Sequence, residues 1–423
     1  MAGNRFDVVI VGAGIVGLSS AYHIKKNNPD MDVLVIDRAN TYAQGNTAKS
    51  AASIRDLFSE DVNFKLSHST IEFYKHLHSQ GHNIGLSMVG YLFLLKGGDR
   101  RTEILRKLSS RTKIRFFESD EISTFPGLKP HPDTDLVQLM GLNDVEEGVL
   151  GENCGTVEPE LISEYYFEEA RKLGVDFRFR TEIKEFSLAP VKKIDFPGEP
   201  FLWQDKIVDD LHTNSGDFHA DNYVCATDVW ATRLLDNTGI DSHIRPKKRQ
   251  IFQLSGPAVE KILYGWKYNE EHVIPFTILP FRAAYLRPAP KFRSIWVGVA
   301  DDFNRNFSLE DDPQPERDFF EKSLMPIISA YYPELSEAKL TGSWAGYYSY
   351  NTIDKSPYIF RDLNLVIATG TSGSGILKGD GIGRNVEAVL SGKNEVKLFD
   401  GSSYPTEDTG LYKRTTLNEE IVL

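Results

Sequence analysis

Residues Phe6 to Arg38, FDVVIVGAGIVGLSSAYHIKKNNPDMDVLVIDR, leave little freedom in how they fold. The apolar run from Asp7 to Val11 suits a strand buried on both faces of a parallel sheet. Gly12, Gly14 and Gly17 follow at the spacing of a dinucleotide fingerprint. Helical periodicity then runs from Ile15 to Lys26, and a second apolar run, Asp32 to Ile36, ends at Asp37. Each position in this βαβ unit has a physical job. Gly12 makes the tight turn, Gly14 lets the backbone approach a pyrophosphate, and Gly17 lets helix and strand pack closely. The helix N-terminus offers free N–H groups and a positive dipole end to the phosphates. Asp37 stands where a carboxylate accepts hydrogen bonds from both ribose hydroxyls of an adenosine, which disfavours a 2′-phosphate. By itself the unit fits FAD and NAD equally.

Composition removes several function classes. With 423 residues the chain has material for two domains, and a formal charge of -12 argues against nucleic acid as a partner. Two cysteines, Cys154 and Cys225, build neither a disulfide framework nor a four-cysteine metal site. The start MAGNRF lacks the order of a signal peptide, and no apolar run approaches the ~20 residues of a membrane span. A cytoplasmic setting without a transmembrane segment is expected. His68, His76, His78 and His82 lack a carboxylate or cysteine at ligand spacing, so they read as a solvated face and no metal is expected.

The order of elements predicts an α/β, two-domain (α+β) architecture: a Rossmann-like cofactor domain interrupted by an antiparallel-sheet substrate domain. Residues 38–54 are small, polar and aperiodic, a loop fitted closely around a ligand. Helical spacing covers 59–80, and GYLFLL at 90–95 reads as a strand. GTVEPELISEYYFEEARKL gives a turn and an amphipathic helix that feeds a strand at 175–183. Prolines 190, 197 and 200 make 186–218 read as an irregular meander. NYVCA is another short buried strand whose turn, ATDVW, faces the nucleotide crevice. RQIFQL, VIPFTIL, AAYLRP and SIWVGVA read as antiparallel strands, with a helix expected over 311–332. These assign 1–85, 150–240 and 335–400 to the cofactor domain and 86–149 and 241–334 to the substrate domain. Residues 401–423 form a tail in which LNEEIVL is a candidate edge strand.

The last third decides between cofactors. The strand NLVIATG runs into a second glycine turn, TSGSGILKGDGIGR, and a helix over 382–390. A simple NAD domain needs no second set of backbone N–H groups beside the first. A flavin does, because its pyrimidine carbonyl becomes anionic on reduction, and a helix N-terminus stabilises that charge. FAD is the better reading.

At this point the chain resembles the FAD-dependent oxidoreductases of the D-amino-acid oxidase type, in the branch of sarcosine oxidases, dimethylglycine dehydrogenases and FAD-dependent oxidoreductase domain proteins. The resemblance runs from Phe6 to about Gly392 and rests on VVIVGAGIVGLSSAY, GNTAKSAASIRDLF, GTVEPELI, NYVCATDVW, WAGYYSYNTIDKSP and NLVIATGTSGSGILKGDGIGR. It implies FAD contacts at Gly12, Gly14, Ile15, Val16 and Gly17, and at Asp37 and Arg38. The loop motif adds Asn46, Thr47, Ala51, Ala52 and Ser53; the middle of the chain adds Ile183, Ala226, Thr227 and Trp230. Gly346, Gly370, Gly373, Ser374, Gly375, Ile376, Leu377 and Lys378 complete the set. The family's covalent attachment points, a cysteine near WAG or a histidine in the first loop, are absent here, so FAD is expected to be non-covalent.

The implied chemistry is hydride transfer from the carbon next to an amine nitrogen of a small carboxylate-bearing amine. Arg55 matches the arginine that holds the substrate carboxylate in sarcosine oxidases, with a structural pair to Asp56 as its alternative. Aligning the glycines puts Leu377 at the family's second carboxylate-binding cation, and Lys378 one residue later. Lys49 is a third cation in the flavin loop, and Tyr348 a candidate pocket wall. The family's Ser-Gly-His-Gly here reads Ser372, Gly373, Ser374, Gly375, without the imidazole. The expected acceptor is oxygen, a carrier protein or a quinone, and self-association or a larger complex is open. Two other functions fit the same fold: 2-hydroxy-acid dehydrogenation, and a flavin-bearing subunit or assembly factor without turnover.

Overall fold

The computed structural model describes residues 5–300, 306–414 and 419–421. The first stretch builds β1 (Arg5–Val11), the helix Ile15–Asn27, β2 (Val33–Ile36), the short β3 (Ser53–Ile54) and the helix Asp61–Ser79. The chain then leaves for a second sheet with β4 (Tyr91–Leu95), β5 (Ile114–Phe117) and β6 (Glu147–Gly151). It returns through β7 (Gly155–Thr156), the helix Pro159–Lys172, β8 (Asp176–Arg178), β9 (Ile183–Pro190), β10 (Lys206–Thr213) and β11 (Gly216–Cys225). The second excursion is β12 (Ile244–Ser255), β13 (Phe276–Ile278), β14 (Tyr285–Ala289), β15 (Ser294–Gly298) and β16 (Lys339–Asn351). β17 (Tyr358–Asp362), β18 (Leu365–Thr369) and the helix Gly379–Leu390 close the first sheet.

The first sheet runs in the order β17-β18-β11-β1-β2-β8, with β10 and β9 attached as an antiparallel meander beside β11. β18, β11, β1, β2 and β8 are mutually parallel. Their near-continuous apolar runs follow from this, since Val8 to Val11 and Val33 to Ile36 are buried on both faces. The second sheet runs β16-β12-β15-β14-β13-β4-β6-β5, antiparallel except where β13 pairs with β4. β16 pairs with β12 along its length, so residues 339–351 belong to the second sheet.

The proline-bearing 186–218 region is an irregular β-meander as expected: Pro190 ends β9 opposite Lys206, prolines 197 and 200 fall in the connecting loop, and the β9–β10 register shifts between Val208 and Asp210 and between His212 and Thr213. The helix expected over 311–332 starts only at Arg317 and runs in helical turns to Tyr331. Of LNEEIVL, Glu419 to Ile421 are described and are not a strand; the rest lies outside the described residues.

Helices Ile15–Asn27 and Gly379–Leu390 cross closely, because Gly383 brings its Cα against Ser19, where a Cβ would lie 2.7 Å from the Ser19 carbonyl carbon. A buried polar cluster fixes that crossing. His23 Nε2 lies 2.7 Å from Asp380 Oδ1, Arg384 Nε donates to Asp380 Oδ2 at 2.6 Å, and Tyr166 Oη donates to Oδ1 at 3.2 Å. The two glycine turns thus start from helices held to each other.

Candidate active site

Residues of both sheets line one cavity of about 550 Å³. At one end β1 delivers Gly12, Gly14, Ile15 and Val16 to its wall, and β2 delivers Asp37 and Arg38. Gly12 has φ +104°, and a Cβ there would lie 2.6 Å from Ala226 O. Gly17 is off the wall; its missing Cβ would come 1.8 Å from Gly12 O, so it closes helix onto strand. Gly14 precedes the helix without a side-chain cap, and Ile15 N–H donates to Thr47 Oγ1 at 3.1 Å. This leaves first-turn N–H groups for a phosphate. Asp37 accepts from Ala13 N at 2.7 Å and Ala39 N at 2.8 Å, which aims its carboxylate while leaving lone pairs for ribose hydroxyls. Arg38 pairs with Asp311 at 3.0 Å and lies 5.0 Å from the Trp230 ring centre.

The loop carrying Asn46, Thr47, Lys49, Ala51, Ala52 and Ser53 passes along the same cavity and is fastened to the second sheet. Tyr347 N donates to Asn46 Oδ1 at 2.9 Å, Trp344 Nε1 to Lys49 O at 3.0 Å, and Arg287 Nε to Ala51 O at 3.0 Å. Arg287 is fully buried and also donates to Val157 O at 3.3 Å. Burial pulls its pKa down, with Glu158 opposing. Asp228 forms a second knot. Its buried carboxylate accepts from Asn46 Nδ2 at 3.2 Å, from Thr371 Oγ1 at 3.4 Å and from Ser349 Oγ. Burial raises its pKa against the pull of those donors.

The second glycine turn faces the first across the cavity wall. Gly373, Ser374, Gly375, Ile376, Leu377 and Lys378 all line it, as do Ile183, Ala226, Thr227, Trp230 and Gly346. Gly373 has φ +89°, and a Cβ there would come 2.4 Å from the Tyr348 ring. Gly370 does not reach the wall; its φ of +69° serves the turn, packed against Tyr358. The following helix starts at Gly379, three residues before the expected 382, and no side chain caps it. Two uncapped helix entries and two close-approach glycines on one cavity fit the phosphates and ring of a dinucleotide flavin. No histidine or cysteine lines the cavity among the described residues, which leaves FAD to be held by hydrogen bonds and packing.

Beyond this cradle lies an aromatic chamber. Tyr91 stacks on Phe276 at 4.6 Å and Phe276 on Tyr285 at 5.1 Å between ring centres. Burial pushes the Tyr91 and Tyr285 phenols far up, so both stay protonated. Tyr348, Phe58, Arg249, Arg55, Lys378 and Glu419 complete the chamber. Arg55 is buried, donates to Leu57 O and, at 2.7 Å, to Ile421 O, and stacks 4.2 Å from the Phe58 ring centre. It does not hydrogen-bond Asp56, whose carboxylate takes His68 Nδ1 at 2.9 Å. Lys378 donates to Asn63 Oδ1 at 2.7 Å, and burial pulls its pKa down to about 7 despite Glu419 nearby. Lys49 lies farther out, paired with Asp312 at 3.4 Å.

Arg249, Asp228, Arg287, Tyr91 and Glu419 were not singled out from the sequence. Asp228 lay inside a quoted motif; Arg249, Arg287 and Tyr91 sit within strands and carry no local signal. Among the described residues no group of three His, Cys, Asp or Glu is placed to hold a metal, and no helix is long and apolar enough to cross a membrane.

Residues 7–388 match the family model described as FAD dependent oxidoreductase. The chain is similar to FAD-dependent oxidoreductase domain-containing protein 1 of Xenopus laevis, 24% identical over 92% of this chain and 79% of that protein. It is also similar to the glycine oxidase of Bacillus licheniformis, 23% identical over 93% of this chain and 95% of the oxidase. Among solved structures, L-proline dehydrogenase from P. horikoshii shares the fold with a TM-score of 0.74 at 21% identity, covering 96% of this chain and 97% of that one. With a family match that spans both glycine turns and the sheet between them, the chain belongs to the FAD-dependent oxidoreductases of the D-amino-acid oxidase type.

Proposed function

We propose that this protein oxidises the carbon next to the nitrogen of a small amino acid or N-methyl amino acid. The observation that carries the reading is the chamber beside the flavin cradle, where stacked aromatic walls meet the cations Arg249, Arg55 and Lys378. Glycine oxidase, dimethylglycine dehydrogenase and L-proline dehydrogenase are the names its relatives and structural neighbours carry, which supports the same class. Bound FAD supplies the hydride acceptor. The chain's own residues bind and orient. The apolar rings of Phe58, Phe276 and Tyr91 take the substrate amine out of water, which favours its neutral form. Cations at the same end hold the acid group and fix the reacting carbon relative to the cofactor. The protonated phenols offer O–H donors to a substrate oxygen and do not act as bases near neutral pH.

Anaerobic titration of the yellow protein with glycine, sarcosine, dimethylglycine, proline, D-alanine and 2-hydroxyglutarate tests this. Bleaching of the flavin band by one amine is the expected result. Bleaching by the hydroxy acid alone, or by dithionite and no candidate, overturns it.

A further inference from the structure

The loop that joins β9 to β10 is built with its polarity reversed. Fourteen large apolar side chains are exposed among the described residues, and five of them, Val191, Ile194, Phe196, Leu202 and Trp203, fall within 191–203. Ordinary surfaces scatter such residues singly; a cluster on one loop marks a contact. Leu202 is 95% exposed and Trp203 72%. The polar groups of the same loop face inward. Gln204 is buried; its Oε1 accepts from Phe201 N at 2.7 Å, and its Nε2 donates to Glu199 Oε1 at 2.9 Å and to Lys192 O at 3.3 Å. Glu199 Oε1 also accepts from Ile194 N at 2.9 Å. These bonds hold the loop in one shape and leave its apolar side chains outside. The rings form a row, Phe196 beside Phe201 at 6.1 Å and Phe201 stacked on Trp203 at 5.9 Å between centres.

Shape and charge narrow the occupant. β9 leaves the cavity wall at Ile183, and its eight residues carry the loop roughly 24 Å from it. Residues 191–198 are all exposed, so the tip is a projection and not a groove. A stable protein interface takes about 20–30 residues from each side, more than this tip offers. A bilayer asks for no matching shape. Bulky apolar side chains enter the boundary between headgroups and acyl chains one by one, and Trp suits that boundary because its ring is apolar and its N–H stays wet. Lys192, Lys193 and Lys206 are balanced by Asp195, Glu199 and Asp205, so the loop carries no net charge. Burial of apolar surface, not attraction to an acidic surface, is then the force available to it.

We propose that the tip 191–203 docks the protein on the surface of a phospholipid bilayer, with Ile194, Phe196, Leu202 and Trp203 entering the acyl boundary. The contact is peripheral, since a loop of this length reaches only the boundary and no helix of the described residues is long and apolar enough to cross. It is independent of which substrate the flavin site takes.

The test uses the full chain loaded with FAD and sucrose-filled vesicles, either phosphatidylcholine alone or phosphatidylcholine and phosphatidylglycerol in equal parts. Sedimentation gives the partition coefficient. The wild type sediments with phosphatidylcholine at least as well as with the acidic mixture, because its formal charge of -12 opposes an acidic surface. Binding persists in high salt, and tryptophan emission shifts to the blue. Leu202→Ser combined with Trp203→Ser lowers the partition coefficient at least about tenfold. The flavin spectrum and melting temperature stay unchanged, because both side chains are exposed. Trp203→Phe keeps most of the binding and loses the blue shift, which contact through another face would not do. Should the double substitution not yield soluble protein, Phe196→Ser takes its place. A wild type that stays in the supernatant with both vesicles overturns the proposal. So does sedimentation that the tip substitutions leave intact, or binding confined to the acidic vesicles at low salt. A dimer in native mass that the tip substitutions reduce to monomer, with no vesicle bound, gives the tip to a second copy of the chain and overturns it as well.

Discussion

Lys378 is an ammonium taken out of water with a neutral acceptor, Asn63 Oδ1, and the Glu419 carboxylate nearby. Its pKa near 7 in the fold, against about 10.5 in an unfolded chain, has a stability consequence. Between those values the unfolded state binds a proton that the folded state does not, so stability rises with pH across that window. Below about 7 the cost of burying the charge is present in full. Lys378→Met is expected to flatten the rise: denaturant midpoints at pH 7 and pH 9.5 differ less in the variant than in the wild type. The sequence shows that a cation follows the last glycine turn. What that cation touches was not legible, because Asn63 and Glu419 are brought to it from distant parts of the chain. The same holds for Arg55, for which the sequence offered a substrate acid or, as the alternative, Asp56, while its guanidinium reaches Ile421 O. Local glycine chemistry at Gly12, Gly14 and Gly373 was readable because the backbone demands lie within a few residues.

Among the elements, the flavin loop 44–53 has almost no regular structure of its own and borrows rigidity from strands of the other sheet. Arg287 on β14 and Trp344 on β16 hold its carbonyls, while Asn46 accepts from the Tyr347 backbone. Arg287→Met removes hydrogen bonds to Ala51 O and Val157 O, at a cost of about 1–3 kcal/mol. The expected signature is a weaker FAD affinity and a larger drop in melting temperature with FAD than without it, measured by thermal unfolding at fixed FAD. Equal drops in both would make Arg287 a general core residue. A buried arginine inside YLRPA reads from sequence as an ordinary strand position, since periodicity reports which face is buried and not what a charge does there. The meander was legible in kind: its prolines fall at a strand end and in a loop, where a missing N–H costs the ladder nothing, and its β9–β10 pairing shifts register twice.

For the whole molecule, the alternation of parallel and antiparallel runs was enough to foresee two sheets joined by repeated crossings. That β16 joins the second sheet was not foreseen, because it is the long partner of β12 although about 90 residues separate them in the chain. That crossing pattern also governs how the protein comes into being. β1 is made first but lies between β2 and β11, and β11 in turn waits for β18. The turn Thr371–Lys378, which completes the cavity wall, comes after all of them. At roughly 5–20 residues per second, translation leaves the nascent chain for tens of seconds with one glycine turn formed and the other unmade. Chains arrested before Gly370 should therefore fail to quench added FAD fluorescence, whereas those extended past Leu390 and clear of the ribosome should capture it. Flavin capture waits for the second glycine turn, so a shortage of flavin would be met by apoprotein whose two sheets are already made rather than by a chain stalled between the two turns.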